Sequence, residues 1–390
     1  MTKIVWIIQA PINIYNNMAL SLKRLYPEIE IVFVMSNKFQ KKTKKYSKEG
    51  KLKVRTLPES FNFFKIFTIP YYFIRYIRRS ERVGKPDFIY LEGLRELLAY
   101  EDPDTVISNL FIQPYTWQAA KFCKINSIPF ILTNQTMIFS GNPLSRFIEN
   151  FVLRLHRKLF SQSKYILCWS EGALEFAYSN FDIMDPSKIR RLYAGVNLKN
   201  FHELKSHPSE KDHNFLKILL VGRFVRYKNH QTLFKALNLL KENQYVDFKL
   251  NLLGSGPYKK EIIQDIDKLN LREKVFFLEK RPHHKMKNLY SEHDILVLPS
   301  YKEPIGMVVP EAMACGTPVI VSEGCGASSY VESGLNGFIF RSFDYKDLAI
   351  KILLLKDKRL REKFSKNAIN TIKEKYDLKE VVKNLYNLIK

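Results

Sequence analysis

The sequence predicts an α/β chain of two tandem domains, each a parallel sheet covered by helices on both faces. Three observations lead there. Short apolar runs alternate with helical patterns along the chain, which is the rhythm of β-α units. That rhythm is interrupted at a polar, charged, proline-bearing stretch, residues 202–214 (HELKSHPSEKDHN), and then restarts. At 390 residues and 46% hydrophobic content, the chain is long for one core, comfortable for two, and too apolar to stay unfolded.

Taken in order, residues 3–9 (KIVWIIQ) form a first strand, followed by a helix through 18–25. Strands are predicted at 30–35 (EIVFVM) and 51–55, then an aromatic helical stretch at 61–79. Further short strands fall at 88–91, 105–108, 129–133 (PFILT) and 165–169 (YILCW), the last leading through Ser170 and Glu171 into a helix. Beyond the linker, strands are predicted at 217–221 (KILLV), 247–253 (DFKLNLL), 275–278, 295–299 and 318–322 (PVIVS), with helices at 230–242 and 259–269. The expected division is a domain at 1–201, a linker at 202–214, a second domain at 215–377 and a last helix at 378–390. No fixed-period repeat is present.

The charge is lopsided: Lys+Arg 63 against Asp+Glu 39, a net +24. Such an excess favours polyanionic partners, or simply keeps a Lys-rich chain in solution. It concentrates at Lys38, Lys41, Lys42, Lys44, Lys45, Lys48, Lys51, Lys53 and Arg55. Aromatic residues follow at 61–76, interleaved with Lys65, Arg75, Arg78 and Arg79. The pattern suits an anionic membrane surface, or a core-facing aromatic stripe with a solvated basic face. Single-stranded nucleic acid is the weakest of the three readings. The cysteines, Cys123, Cys168, Cys315 and Cys325, show no C-x-x-C spacing, which fits a reducing compartment. No apolar run reaches the roughly 18 residues of a membrane span, and no secretory leader is recognisable. The expected location is the cytoplasm, peripheral at the cytoplasmic face of the membrane.

Three stretches could carry chemistry. Gly222-Arg223-Phe224 follows the strand at 217–221, with Lys228 shortly after. Ligands of open α/β domains bind beyond the carboxyl ends of strands, where Arg223 and Lys228 could converge on one anion. They could equally be ordinary surface cations. Gly254-Ser255-Gly256-Pro257 also follows a strand. Lacking a Cβ there lets backbone approach a ligand closely, although a plain strand-to-helix turn explains it as well. The third stretch, 300–322, is SYKEPIGMVVPEAMACGTPVIVS. Glu303 stands in a polar turn, and Glu311 begins the small-residue helix EAMACG. The backbone amides of Ile305, Gly306, Met307 and Val308 lie near a helix start, a ready anion site. Glu303 is suited to a sugar and Glu311 to a ribose diol, for which a carboxylate is a good acceptor. Alternatively Glu311 only charges a helix terminus and Glu303 is solvated. His283-His284 carries no metal reading, since adjacent histidines in an extended segment diverge and no acid or thiol sits at ligand spacing.

In order and spacing, these stretches resemble glycosyltransferase family 4. The resemblance runs from residue 217 to 340. It includes the Gly222-Arg223…Lys228 element, Gly254-Ser255-Gly256-Pro257, VLPS at 297–300, the Glu303…Glu311 pair and GLNGFIF at 334–340. Gly195-Val196-Asn197…Phe201 resembles the family's domain junction. The resemblance implies a GT-B fold, two Rossmann-like domains facing across a cleft, with the last helix crossing back onto the first domain. It implies a retaining glycosyltransferase using a UDP- or GDP-sugar, with no cofactor and no metal. Arg223 and Lys228 would neutralise the donor diphosphate, Glu311 would hold the ribose, and Glu303 with the amides after it would hold the donor sugar. Gly222 and Gly254 would line the donor site. The acceptor would be a saccharide or lipid-linked saccharide, in cell-surface glycan synthesis. The first half is less similar. Where many members have a Gly-rich loop, the chain reads Gln9-Ala10-Pro11-Ile12-Asn13, and Asn134-Gln135 stands where many have a histidine. Asn13, Asn134 and Gln135 could bond a sugar hydroxyl, but none is a general base near neutral pH. A non-catalytic protein binding nucleotide-sugar or polysaccharide on the same fold is the alternative reading.

Overall fold

In a computed structural model of the protein, the structure describes residues 1–8, 13–39, 52–60, 90–111, 113–135, 150, 153–154, 157–158, 160–181, 185–202 and 215–390. The loop expected after the first strand, most of the basic run, the aromatic helix at 61–79, the start of the strand at 88–91 and nearly all of the linker lie outside the described residues. The chain divides into two compact units. One contains Met1–Ser80, Gly84–Gly195 and Leu378–Lys390; the other contains Val196–Asp377.

In the first unit, strands β1 (Lys3–Ile7), β2 (Glu30–Ser36), β3 (Lys53–Leu57), β6 (Thr105–Asn109), β7 (Phe130–Asn134), β8 (Tyr165–Cys168) and β9 (Ile189–Arg191) make one sheet. Their order is β3-β2-β1-β6-β7-β8-β9, and every pairing is parallel. Strands buried on both faces read as continuous apolar runs, which is why IVFVM and FILT were legible. Two expectations need correcting. The short segment at residue 90 is not part of this sheet: β5 (Tyr90–Leu91) pairs antiparallel with β4 (Glu59–Ser60) in a separate ribbon. Strand β9 was not anticipated, because an edge strand reading IRR has no apolar run to announce it.

The last helix, Leu378–Ile389, packs within this unit, next to the helix Asn13–Leu25. Tyr386 stacks on Tyr26 with ring centres 3.6 Å apart, and Lys164 Nζ donates to the Ile389 carbonyl at 3.0 Å. Gly195 has to be glycine, since a Cβ there would lie 2.5 Å from the Leu378 Cα. The four cysteines are all buried and free, and burial pushes each thiol up to about 12.

The second unit repeats the plan. Strands β10 (Leu216–Val221), β11 (Phe248–Leu253), β12 (Val275–Leu278), β13 (Ile295–Leu298), β14 (Val319–Ser322) and β15 (Phe338–Phe340) form a sheet ordered β12-β11-β10-β13-β14-β15, all parallel. The strand order reverses between β10 and β13. That is the switch point where loops diverge and open a crevice in folds of this kind. Among the described residues, no helix is long and apolar enough to cross a membrane.

One charge cluster holds an end of the first sheet. Glu101, at the end of the helix Leu94–Glu101, is almost wholly buried. It accepts from Lys53 at 2.7 Å and Arg55 at 2.8 Å, with Lys3 at 3.7 Å. Burial alone would raise its pKa, but the hydrogen bonds from Lys53 and Arg55 outweigh burial and hold it below its ordinary value. A depressed carboxylate contributes stability that is present above its unfolded value, 4.5, and is lost as pH falls through the folded one. Glu101→Gln should therefore lower stability at neutral pH by about 1.5–3 kcal/mol and flatten its decline between pH 5 and pH 3. Chemical denaturation across that range checks this, and an unchanged acid slope would contradict it.

Candidate active site

The site is built at the switch point of the second unit. Strand β10 ends at Val221, and its extension stays paired with β11: Gly222 N–H donates to the Leu253 carbonyl at 3.0 Å, and Phe224 N–H to the Ser255 carbonyl at 2.9 Å. The two loops press together so closely that a Cβ on Gly254 would lie 1.9 Å from the Gly222 carbonyl oxygen. The glycine of this strand-to-helix turn is thus required by its neighbour's backbone.

From Gly222 the chain passes Arg223, which is exposed, and reaches Lys228, which is buried. The stem of Lys228 lies over Gly222, its Cε 3.1 Å from where a Cβ would stand. Its ammonium forms an ion pair with Glu303 Oε2, from the loop after β13. The same two loops are joined by backbone, Tyr301 N–H to the Tyr227 carbonyl at 3.1 Å. Two residues expected to serve different parts of a donor therefore meet directly.

The Glu303 turn is fixed from behind. Its carbonyl accepts from Gly326 N–H at 2.6 Å, and Glu303 bridges to Cys325 in parallel register. Gly306 has φ +67°, and a Cβ there would lie 2.9 Å from the Ala327 Cβ. Both the left-handed backbone and the crowding demand glycine. Ile305 to Val308 form the approach to the helix Val308–Ala314. Glu311 does not begin this helix, as the sequence suggested, but is its fourth residue. Pro310 precedes it in the first turn, where amide groups have no intrahelical acceptor, so the missing N–H costs nothing.

Glu311 is buried and held on both oxygens. Tyr290 Oη donates to Oε2 at 2.8 Å, and His283 Nε2 lies 3.1 Å from Oε1. The hydrogen bond to Glu311 raises the His283 pKa against the opposing effect of partial burial. Burial is the main reason the Tyr290 phenol is pushed well up. The expectation for His283-His284 is corrected here: His283–Lys285 is a helical turn rather than an extended segment, and His283 does have a carboxylate partner, brought from elsewhere in the chain. Among the described residues, no three His, Cys, Asp or Glu side chains group as a metal ion would need.

Sequence reasoning also passed over His230. It is buried against Phe224 (ring centres 5.4 Å apart), and neither ring nitrogen has a hydrogen-bond partner among the described residues. Burial, aided by the Lys228 charge, pushes it down to about 3, so it stays neutral and is a poor proton acceptor.

The remaining candidates lie in the first unit. Asn134 is buried at the end of β7 and donates to the Ala173 carbonyl at 3.2 Å. Gln135 bonds the hydroxyl of Tyr15, which is buried between Trp6 and Trp169. Asn109 accepts from Trp6 Nε1 at 3.2 Å and from Thr133 at 2.9 Å, completing a polar layer at the carboxyl ends of β1, β6 and β7. Asn13 is the first residue of its helix; its side chain lies outside the described residues.

Known proteins are similar to this chain in sequence and in fold. The family described as "Glycosyl transferases group 1" matches residues 202–371, and "Glycosyltransferase Family 4" matches residues 18–200. An uncharacterized glycosyltransferase of Methanocaldococcus jannaschii is 31% identical over 240 residues, 59% of this chain and 60% of its own. The N-acetylgalactosamine-N,N'-diacetylbacillosaminyl-diphospho-undecaprenol 4-alpha-N-acetylgalactosaminyltransferase of Campylobacter jejuni is 30% identical over 193 residues, 49% of each chain. The chain thus spans about three fifths or less of the length of these curated relatives. Among solved structures, Alr3699/HepE of Anabaena in complex with UDP superposes with a TM-score of 0.76 over 99% of both chains, at 17% identity. That likeness establishes the fold: two Rossmann-like domains of the GT-B type.

Gly326→Ala would place a Cβ 2.0 Å from the Pro304 carbonyl oxygen. Because backbone must move to admit it, the substitution should cost about 1–3 kcal/mol, read as a lower midpoint in urea. A variant as stable as the parent would show the Glu303 turn to be pliable.

Proposed function

We propose, from the premise that this chain belongs to the group 1, family 4 glycosyltransferases, that it moves a sugar from a UDP- or GDP-sugar to a saccharide or lipid-linked saccharide, with retention of anomeric configuration. The observation that carries this reading is the ion pair between buried Lys228 and partly buried Glu303 at the switch point. A buried ammonium beside a carboxylate is poised to be shared with an arriving diphosphate, while Glu303 turns to the sugar. Exposed Arg223 offers a second, planar set of donors to the same phosphates.

Breaking the glycosidic bond leaves negative charge on the departing nucleoside diphosphate. Fixed cations stabilise that charge as it develops. Arg223 and Lys228 supply it from side chains, so in this reading the reaction uses no bound metal and no cofactor beyond the donor itself. Gly222, Gly254 and the amides from Ile305 to Val308 line the donor, and Glu311 accepts from the ribose hydroxyls. An oxygen of the leaving phosphate then takes the acceptor's proton on the same face of the sugar.

Two of the similar proteins support the ligand classes: the Anabaena structure contains UDP, and the name of the Campylobacter enzyme specifies a diphospho-undecaprenol acceptor. The basic run at residues 38–55 suits an anionic membrane surface, which would place the enzyme at the cytoplasmic face and in cell-surface glycan synthesis.

Thermal unfolding with UDP, GDP and ADP tests the reading. One of them, at about a hundred times its Kd, should add about 2.7 kcal/mol and raise the midpoint by several degrees. Arg223→Ala and Glu311→Ala should each remove most of that rise. The reading fails if none stabilises the protein, or if both variants respond like the parent.

A further inference from the structure

Glu311 carries two hydrogen-bond donors that no part of the proposed reaction uses. Both come from one stretch of chain. Tyr290 lies in the helix Met286–Ser291, with its ring wholly buried. Its own backbone is pinned where the Thr317 hydroxyl donates to the Tyr290 carbonyl at 2.8 Å. His283 stands in the turn just before that helix, with a side chain about half exposed. Phe201 braces both, its ring edge-on to His283 at 5.1 Å and tilted to Tyr290 at 6.2 Å.

The chemistry of the carboxylate gives this arrangement a purpose. The last torsion of a glutamate is broad, so packing of the stem does not fix the plane of the carboxylate. A carboxylate accepts only, at about two positions on each oxygen. Tyr290 Oη takes one position on Oε2, and His283 Nε2, which must carry a proton to face it, takes one on Oε1. One position is then left on each oxygen, in a plane already set. Two adjacent acceptors at fixed spacing match two adjacent hydroxyls.

We infer that Tyr290 and His283 are positioning residues that orient Glu311, and that together they make the site selective for an intact ribose diol over a deoxyribose. The inference rests on the reading of Glu311 as the ribose acceptor. It adds that selectivity depends on donors behind the carboxylate. Tyr290 is the permanent anchor, since its hydroxyl is sealed from water. His283, on a half-exposed turn, is the adjustable one.

The test compares Kd for the nucleoside diphosphate that stabilises the protein with Kd for its 2′-deoxy form, by titration calorimetry, using UDP with 2′-deoxy-UDP, GDP with 2′-deoxy-GDP and ADP with 2′-deoxy-ADP. The parent should prefer the ribonucleotide by about tenfold or more, the worth of one charge-assisted hydrogen bond. Tyr290→Phe, which removes only a hydroxyl, should bring that preference within about threefold while leaving the deoxy form's Kd nearly unchanged. His283→Ala should reduce it less, and keeps the test open should Tyr290→Phe fold poorly. A general weakening of the site would raise both constants together, so the ratio separates positioning from mere structural support. Parent-like ratios in both variants overturn the inference and leave the Glu311 assignment standing. A parent that binds ribo and deoxy forms equally overturns both.

Discussion

A lysine ammonium taken out of water must be met by an opposite charge, and in the second unit that requirement governs the loops around it. Lys228 is buried and answers to Glu303. On its way to that carboxylate its stem runs across residue 222, where the absence of a Cβ leaves it room. The carbonyl of Gly222 in turn occupies the space where residue 254 would carry a Cβ. On the other side, Glu303 can face Lys228 only because its backbone is clamped to Gly326 and Cys325. Around this ion pair the loops after β10, β11 and β14 are close-packed at Gly222, Gly254 and Gly326, and they belong to strands on either side of the reversal in strand order.

The first unit answers the same demand for satisfaction differently at its two sheet ends. Where β1, β2 and β3 begin, the buried Glu101 gathers Lys3, Lys53 and Arg55 into a network that ties strand starts to a helix end. Where β1, β6 and β7 finish, neutral groups serve: Trp6, Asn109, Thr133, Tyr15 and Gln135 bond among themselves. Ionic cross-links suit a scaffold that is not required to open. Neutral amides and hydroxyls can exchange partners at modest cost.

Much of the fold was legible because parallel strands covered on both faces leave long apolar runs, as at β2 and β10. Strand β9 was not, because Ile189–Arg191 owes its place to an edge of the sheet and not to its own composition. In the candidate site, Gly222, Lys228, Glu303 and Glu311 were singled out by their positions after strands, their spacing and the family resemblance. Their mutual geometry could not be read that way, since Lys228 and Glu303 are brought together by the order of β10 and β13. Tyr290 left no signal, and His283 was weighed only as a metal ligand. One reads as an apolar helix position and the other as a surface histidine, and Glu311 lies 21 and 28 residues further along.

The sealed thiols have a practical consequence. Cys123, Cys168, Cys315 and Cys325 are all inside the protein, and each is pushed to about 12, far from the thiolate that reacts with maleimides or oxidants. The folded chain therefore behaves chemically as though it had no cysteine. A single one introduced at an exposed position, such as Tyr178 in the first unit or Tyr245 in the second, would be the sole point of attachment for a dye or spin label. Pairs of such sites would make the motion of either unit measurable without first stripping the native sulphur from its core.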